Sequence, residues 1–381
     1  MRVIAVVLGL VIIATVLLDS FETVVLPRRV QRSFRLTSWF YRNTWTPWAR
    51  LARHFGSVHR REAFLSYFGP LSLIVLLMFW AAGLILGFAL LQYGGGEHVA
   101  LNNQPVTFGG LLYHSGETFF TLGYGDILPM SAWARSLAVI EAGMGFGFLA
   151  IVIGYLPVVY SSFSAREHEI SLLDSRAGSP PTATELLKRL GCCPDQSTLD
   201  QIFRDWERWA AEVLETHLSY PVLSFFRSQH SNQSWLGALT LMLDVTAFVM
   251  AGIDGIHREQ AQLTFAMARH AAVDLAQVVN ARYDPHANDR LPPPDLAHLQ
   301  SILDASGLHC QKGVEGREQL RHLRSLYEPY LEGLGRNLLI ELPGWIRQSE
   351  KKDNWQAGPW DRAIQARSLE RVPTRCRPDH F

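Results

Sequence analysis

The sequence predicts an all-α fold in two parts, an N-terminal part that spans a membrane and a C-terminal helical part that does not. Three observations carry this prediction. Residues 3–26, 70–92 and 132–160 are apolar stretches, each long enough at about 1.5 Å per residue to cross a hydrocarbon core of about 30 Å. Beyond about Ala165 the apolar residues recur with helical periodicity and few β-branched runs. No long strand candidate appears in that second part. The 381 residues hold 35 Lys plus Arg against 35 Asp plus Glu. Overall charge therefore singles out no class of partner.

Residues 1–26 are expected to form an N-terminal transmembrane helix. Val3 to Leu18 is uncharged, and Asp19 and Glu22 interrupt only the last turns. A cleaved signal peptide fits poorly, because the basic residue before the apolar run is Arg2 alone and no Ala-X-Ala site follows. Asp19 and Glu22 share one helical face near the end. They are expected to pair with Arg28 or Arg29 at the interface, the other reading being a coupling contact to the segments that follow. Residues 27–65 form a basic linker. Between Pro27 and Phe64 lie nine arginines, no lysine, and Glu62 as the one acid. By the positive-inside rule this linker is cytoplasmic, and the Lys- and Arg-free segment 93–107 is outside. Arg29, Arg32 and Arg35 recur every third residue, but too few helices accompany them for a voltage sensor. A juxtamembrane helix drawn to anionic lipid, over about residues 28–61, is the expectation. Trp39, Phe40, Tyr41, Trp45 and Trp48 interleave with the arginines as an interfacial belt, not as a nucleic-acid surface.

Residues 66–162 carry the most specific signal. After the crossing at 70–92 and a polar, loop-like 93–107, residues 108–120 allow only about three helical turns and cannot cross. They suit a half-helix that enters the membrane and points its negative C-terminal end inward. Residues 118–126 then read Thr-Phe-Phe-Thr-Leu-Gly-Tyr-Gly-Asp. Gly123 and Gly125 permit backbone angles that a side chain would forbid. Non-helical backbone at membrane depth is tolerated only where protein surrounds it or it lines an ion path. The crossing at 132–160 follows.

The string and its setting resemble the two-helix pore module of potassium channels: outer helix, pore helix, filter and inner helix. The match extends past the filter. Pro129, Trp133, Arg135 and Gly145 follow Asp126 at the intervals found in simple bacterial potassium channels. The resemblance implies that Thr121, Leu122, Gly123 and Tyr124 present carbonyl oxygens, and Thr121 a hydroxyl, to potassium in place of its water shell, with Gly125 closing the filter. Glu117, Thr118, Asp126 and Trp133 are its expected supports, Glu117 and Asp126 as a carboxyl pair. Gly145 matches the inner-helix hinge, whereas Gly143 and Gly147 read as packing positions. Gly154 and Pro157 offer a second weak point, with a gate near Leu156 to Tyr160. Leu122, Phe119 and Phe120 depart from the usual pattern.

The remainder divides into a helical cytoplasmic domain, 163–350, and a polar tail, 351–381. Thr182 with Glu185, and Ser197 with Asp200, read as capping boxes. Leu199, Ile202, Phe203, Trp206, Ala210, Val213 and Leu214 form one apolar stripe, and Ala261, Phe265, Ala268, Leu275 and Val279 another. Trp235 to Asp254 is apolar enough to mimic a crossing, but Asp244 at its centre favours a core helix. Residues 284–297, with Pro292 to Pro294, are expected to loop. Cys192, Cys193, Cys310 and Cys376 lack zinc or redox spacing. His270 and Asp274 share a helical face, where mutual hydrogen bonding is expected over metal binding. No nucleophile with a placed base is evident, so no enzyme is expected. The expectation is a potassium-selective homotetrameric channel of the inner membrane, multi-pass and gated through its helical domain, with room for a regulatory ligand that the sequence does not name. Permeant potassium would be its cargo and no cofactor is needed. The alternative is a membrane-anchored sensor whose pore conducts little.

Overall fold

The first apolar stretch folds as α1 (Arg2–Ser20), which continues through one π-helical turn, Phe21–Val25. It lies antiparallel along α4 (Phe68–Gly95), and small residues permit the approach. A Cβ on Gly9 would sit 2.7 Å from the Gly87 carbonyl oxygen, Gly83 meets Val16, and Gly94 meets Val6 and the Arg2 backbone. Close backbone packing through glycine is how helices associate where lipid supplies no hydrophobic drive. This computed structural model describes residues 1–26, 35–96, 99–101, 104–191, 196–230, 232–253, 257–285, 289–311, 313–347 and 353. The expectations for Arg28, Arg29, Arg32, Cys192, Cys193, Cys376 and the tail other than Asp353 lie outside the described residues.

Two short helices, α2 (Leu36–Ala52) and α3 (Val58–Ser66), precede the outer helix. Phe40, Tyr41, Trp45 and Ala49 are buried, whereas Arg42 and Arg50 are exposed. The aromatic belt is a packed layer: Trp45 meets Phe68 at 4.8 Å between ring centroids, and Trp48 stacks on Phe64 at 4.4 Å. Asp19 is 3% exposed at the corner where α1, α2 and α4 meet. It accepts hydrogen bonds from the Thr37 backbone N–H (3.1 Å), the Thr37 hydroxyl (2.5 Å) and Trp80 Nε1 (3.0 Å). Its described partners are thus neutral groups that also tie down the start of α2.

Segment 93–107 is not simply a loop. β1 (Val99–Leu101) pairs antiparallel with β2 (Gln104–Pro105) and with β3 (Ile127–Pro129), with Ala100 opposite Leu128. Strands this short carry no legible alternation, and pairing between β1 and β3 across the intervening segment sets them. The short helix α5 (Phe108–Phe119) and the long helix α6 (Ala132–Ala177) complete this part.

The chain divides into two units, Met1–Ser161 and Ser162–Phe381, and α6 carries residues of both. In the second unit the described α-helices are the end of α6, then α7 (Ala183–Gly191), α8 (Gln196–Ser219), α9 (Trp235–Gly252), α10 (Glu259–Val278), α11 (Pro293–Ala305), α12 (Val314–Ser325) and α13 (Glu328–Leu338), with a 3-10 turn at Pro221–Phe225. The Thr182 hydroxyl accepts from the Glu185 N–H, as its capping box predicts. Ser197, by contrast, lies inside α8. The predicted stripe of α8 is buried throughout. Although α9 is long and apolar enough to cross a membrane, 94% of that stretch is buried inside the protein. Its Asp244 receives a two-pronged contact from Arg290 (3.1 and 2.7 Å) and the Tyr327 hydroxyl at 2.7 Å. The expected loop at 284–297 is shorter than its prolines suggest. Pro293 and Pro294 open α11, where a missing N–H costs nothing.

Candidate functional site

α5 begins at Thr107, whose hydroxyl accepts from the Gly110 N–H at 3.4 Å. Its buried face, Leu111, His114, Ser115, Glu117 and Phe119, packs toward α4 and α6. Leu111 joins Ala89, Ile127 and Ala134 in a core behind the loop, with Val106 against it. The helix ends abruptly. The Leu122 N–H bonds the Glu117 carbonyl (2.8 Å), and the Thr121 N–H bonds the Thr118 carbonyl (3.0 Å). This is a Schellman cap, with Thr121 in the left-handed position that usually takes glycine. Glu117 and Thr118 therefore support the following loop first through their backbone.

Past the cap the chain alternates in hand. Thr121, Gly123 and Gly125 have φ of 56°, 60° and 79°, whereas Leu122 and Tyr124 stay on the negative side. Alternating hands turn successive peptide carbonyls toward one side, which extended or helical backbone cannot do. Leu122 and Tyr124 are 56% and 70% exposed.

The supporting side chains pair differently from expectation. Glu117 Oε1 bonds His114 Nδ1 at 3.1 Å. Asp126 accepts from the Ile127 N–H at 3.1 Å. The described contacts of the expected Glu117–Asp126 pair thus run to His114 of α5 and to the backbone of Ile127 in β3. Trp133 lies half-exposed with its indole against Gly95, at the end of α4. Phe119 is buried against Phe148 of α6, and Phe120 is exposed. Gly145 is where α6 touches α5, and a Cβ there would overlap the Phe119 carbonyl oxygen. Gly143, Gly147 and Gly154 have open space around them in the single chain. Close packing, which the sequence suggested for Gly143 and Gly147, belongs here to Gly145. Pro157 is exposed within an uninterrupted helix.

Residues 74–161 match the family model described as ion channel. This stretch is an ion-channel domain. The chain is also similar to two curated proteins. A protein named "Uncharacterized membrane protein YdjJ" from Bacillus subtilis is 24% identical over 239 residues, 62% of this chain and 69% of that protein. A protein named "Two-pore potassium channel 5" from Arabidopsis thaliana is 34% identical over 70 residues, 18% of this chain and 17% of that protein. No solved structure matches. The ion-channel domain and its apolar helices make this a membrane protein with the all-helical fold the sequence predicts. Among the described residues no group of three His, Cys, Asp or Glu could hold a metal ion. His270 and Asp274 pair with each other at 3.3 Å.

Sequence reasoning missed one residue of the ion-channel domain. Glu141 is the one charged residue between Arg135 and Arg166, and it is 0% exposed. Ser115 Oγ of α5 lies within hydrogen-bond reach of its Oε1, and Gln92 Nε2 of α4 lies 3.5 Å from its Oε2. An ionisable residue deep in an apolar crossing is itself a signal.

Proposed function

We propose that the chain is one subunit of a potassium-selective channel in which four copies surround a single filter. The observation that carries this reading is the alternating, exposed backbone at Thr121, Gly123 and Gly125, directly after a capped half-helix. Rings of carbonyls from Thr121, Leu122, Gly123 and Tyr124, with the Thr121 hydroxyl below, replace the water shell of potassium. Four copies would bury the Leu122 and Tyr124 faces that one copy exposes. The protein sits in the cell membrane with its N-terminus and the β1–β3 sheet outside. The antiparallel α1–α4 pair supports this orientation, because it puts Met1 at the same end as the filter. Residues 163–350 are then cytoplasmic, and Arg42 and Arg50 on the outer face of α2 meet anionic headgroups. Gating runs through α6, which continues from the pore into the second unit. An unknown ligand of that unit sets the gate near Leu156 to Tyr160.

Purified protein in liposomes tests the reading. Potassium flux that barium blocks and sodium does not replace is the expected result. Equal sodium and potassium permeability, or no flux, overturns it.

A further inference from the structure

We propose that Glu141 is a neutral carboxylic acid that positions the pore helix by donating its proton to Ser115. Ser115 Oγ lies 2.7 Å from the Ile85 carbonyl oxygen of α4 and also within hydrogen-bond reach of Glu141 Oε1. A hydroxyl has one proton to donate and lone pairs to accept with. The carbonyl can only accept, so Ser115 donates to Ile85. The remaining contact then needs a proton on Glu141. Gln92 Nε2 donates to the other carboxyl oxygen. The result is a chain from α6 through Glu141 and Ser115 to the backbone of α4, closed across the middle of α5. Deprotonation would leave Glu141 and the Ile85 carbonyl competing for a single hydroxyl proton.

The surroundings favour the neutral acid. α4 has no charged side chain in its 28 residues. α5 brings His114 and Glu117, which pair with each other. On α6 the nearest charged neighbours in sequence are Arg135 and Arg166. No cation among the described contacts reaches Glu141, and a carboxylate buried without one is costly. Because Ser115 lies two residues before Glu117, whose carbonyl caps the filter's first turn, Glu141 acts on the filter through α5. It is a positioning residue and touches no ion. Its link to conduction rests on the channel reading above, but its protonation does not.

Infrared spectroscopy of the full-length protein in lipid nanodiscs tests the protonation without any flux. At pH 7 the parent should show the C=O stretch of a protonated carboxylic acid, absent from Glu141→Gln and shifted in frequency by Ser115→Ala. No such band in the parent, or a band that survives in Glu141→Gln, overturns the proposal. The same variants in liposomes test the positioning role. Glu141→Gln keeps a donor and should match the parent's potassium-to-sodium ratio. Glu141→Leu fills the space without a donor and should lower that ratio by about tenfold, the equivalent of one hydrogen bond. If Leu and Gln both match the parent, the positioning role is wrong. If the parent itself passes no potassium, the channel reading fails and the infrared result stands alone.

Discussion

A methyl group at residue 145 would have to occupy the space of the Phe119 carbonyl oxygen. Gly145→Ala should therefore push α6 from α5 at the base of the filter. The expected outcome is loss of selective potassium flux and a destabilisation of about 1–3 kcal/mol, typical of overpacking, read as a lower unfolding temperature in detergent. Gly143→Ala, with open space around it, should be tolerated within a subunit. If both variants behave like the parent, the contact does not matter. Gly125 calls for a different argument. Its φ of 79° is reserved for glycine, so Gly125→Ala should fold normally yet lose potassium preference in bilayer recordings. The alternating backbone of this loop was legible in the sequence because Gly123 and Gly125 of Thr-Leu-Gly-Tyr-Gly-Asp mark where positive φ falls. The identity of the partners was not. Glu117 and Asp126 are near in sequence, but which groups their carboxyls meet depends on the local path of the chain, where His114 and the Ile127 N–H intervene. The hand of Thr121 was equally hidden, since a β-branched residue in the left-handed region is set by the cap and not by propensity.

The outer helix, pore helix and inner helix fall where hydropathy places them, because length in lipid is a one-dimensional property. Corners between helices are not. Asp19 is held by Thr37 and by Trp80, the latter 61 residues away in the chain, a contact that nothing in the sequence near Asp19 announces. Asp19→Ala removes the acceptor for three donors at one corner. It should lower stability by about 1–3 kcal/mol, the range for leaving buried polar groups unpaired, and loosen α2, measured as faster proteolysis between Ala52 and Val58. Intact resistance in the variant would assign α2 to lipid contact alone. The same logic applies to α9. A charge inside it pointed to a core helix, but the partner, Arg290, sits in a stretch its prolines marked as loop. Arg290→Met alone should cost about 3–5 kcal/mol by stranding Asp244, and Asp244→Leu added to it should recover much of that loss. If the double variant is no more stable than the single, the Asp244 contact to Tyr327 carries the site instead.

Across the whole molecule the one element shared by both units is α6. Its last turns enter the second unit through Arg166. That guanidinium donates to His217 Nε2 (3.1 Å) and to the Leu223 and Phe226 carbonyls (3.0 Å each). One alanine inserted after Ser161 would shift the helical register of α6 by about 100°. Selectivity should persist while open probability changes, and an unaltered open probability would uncouple the units. Burial, and then the nearby Arg166, push the pKa of His217 well below the usual histidine value. The unfolded chain therefore takes up the proton first. The stability His217 contributes is complete above about pH 6.5 and drains as pH falls below it toward the folded-state pKa. Between pH 7.5 and 5 the parent should lose more unfolding temperature than His217→Gln, and equal losses would assign the acid sensitivity elsewhere. The corner at Asp19 also has a consequence for biosynthesis. The carboxylate leaves the ribosome long before Trp80, and at about 5–20 residues per second that delay is roughly 3–12 s. During it the first helix carries an acid whose shelter has not been made. The nascent chain must keep α1 near the insertion machinery, or hold it by a chaperone, until the outer helix arrives to close over it.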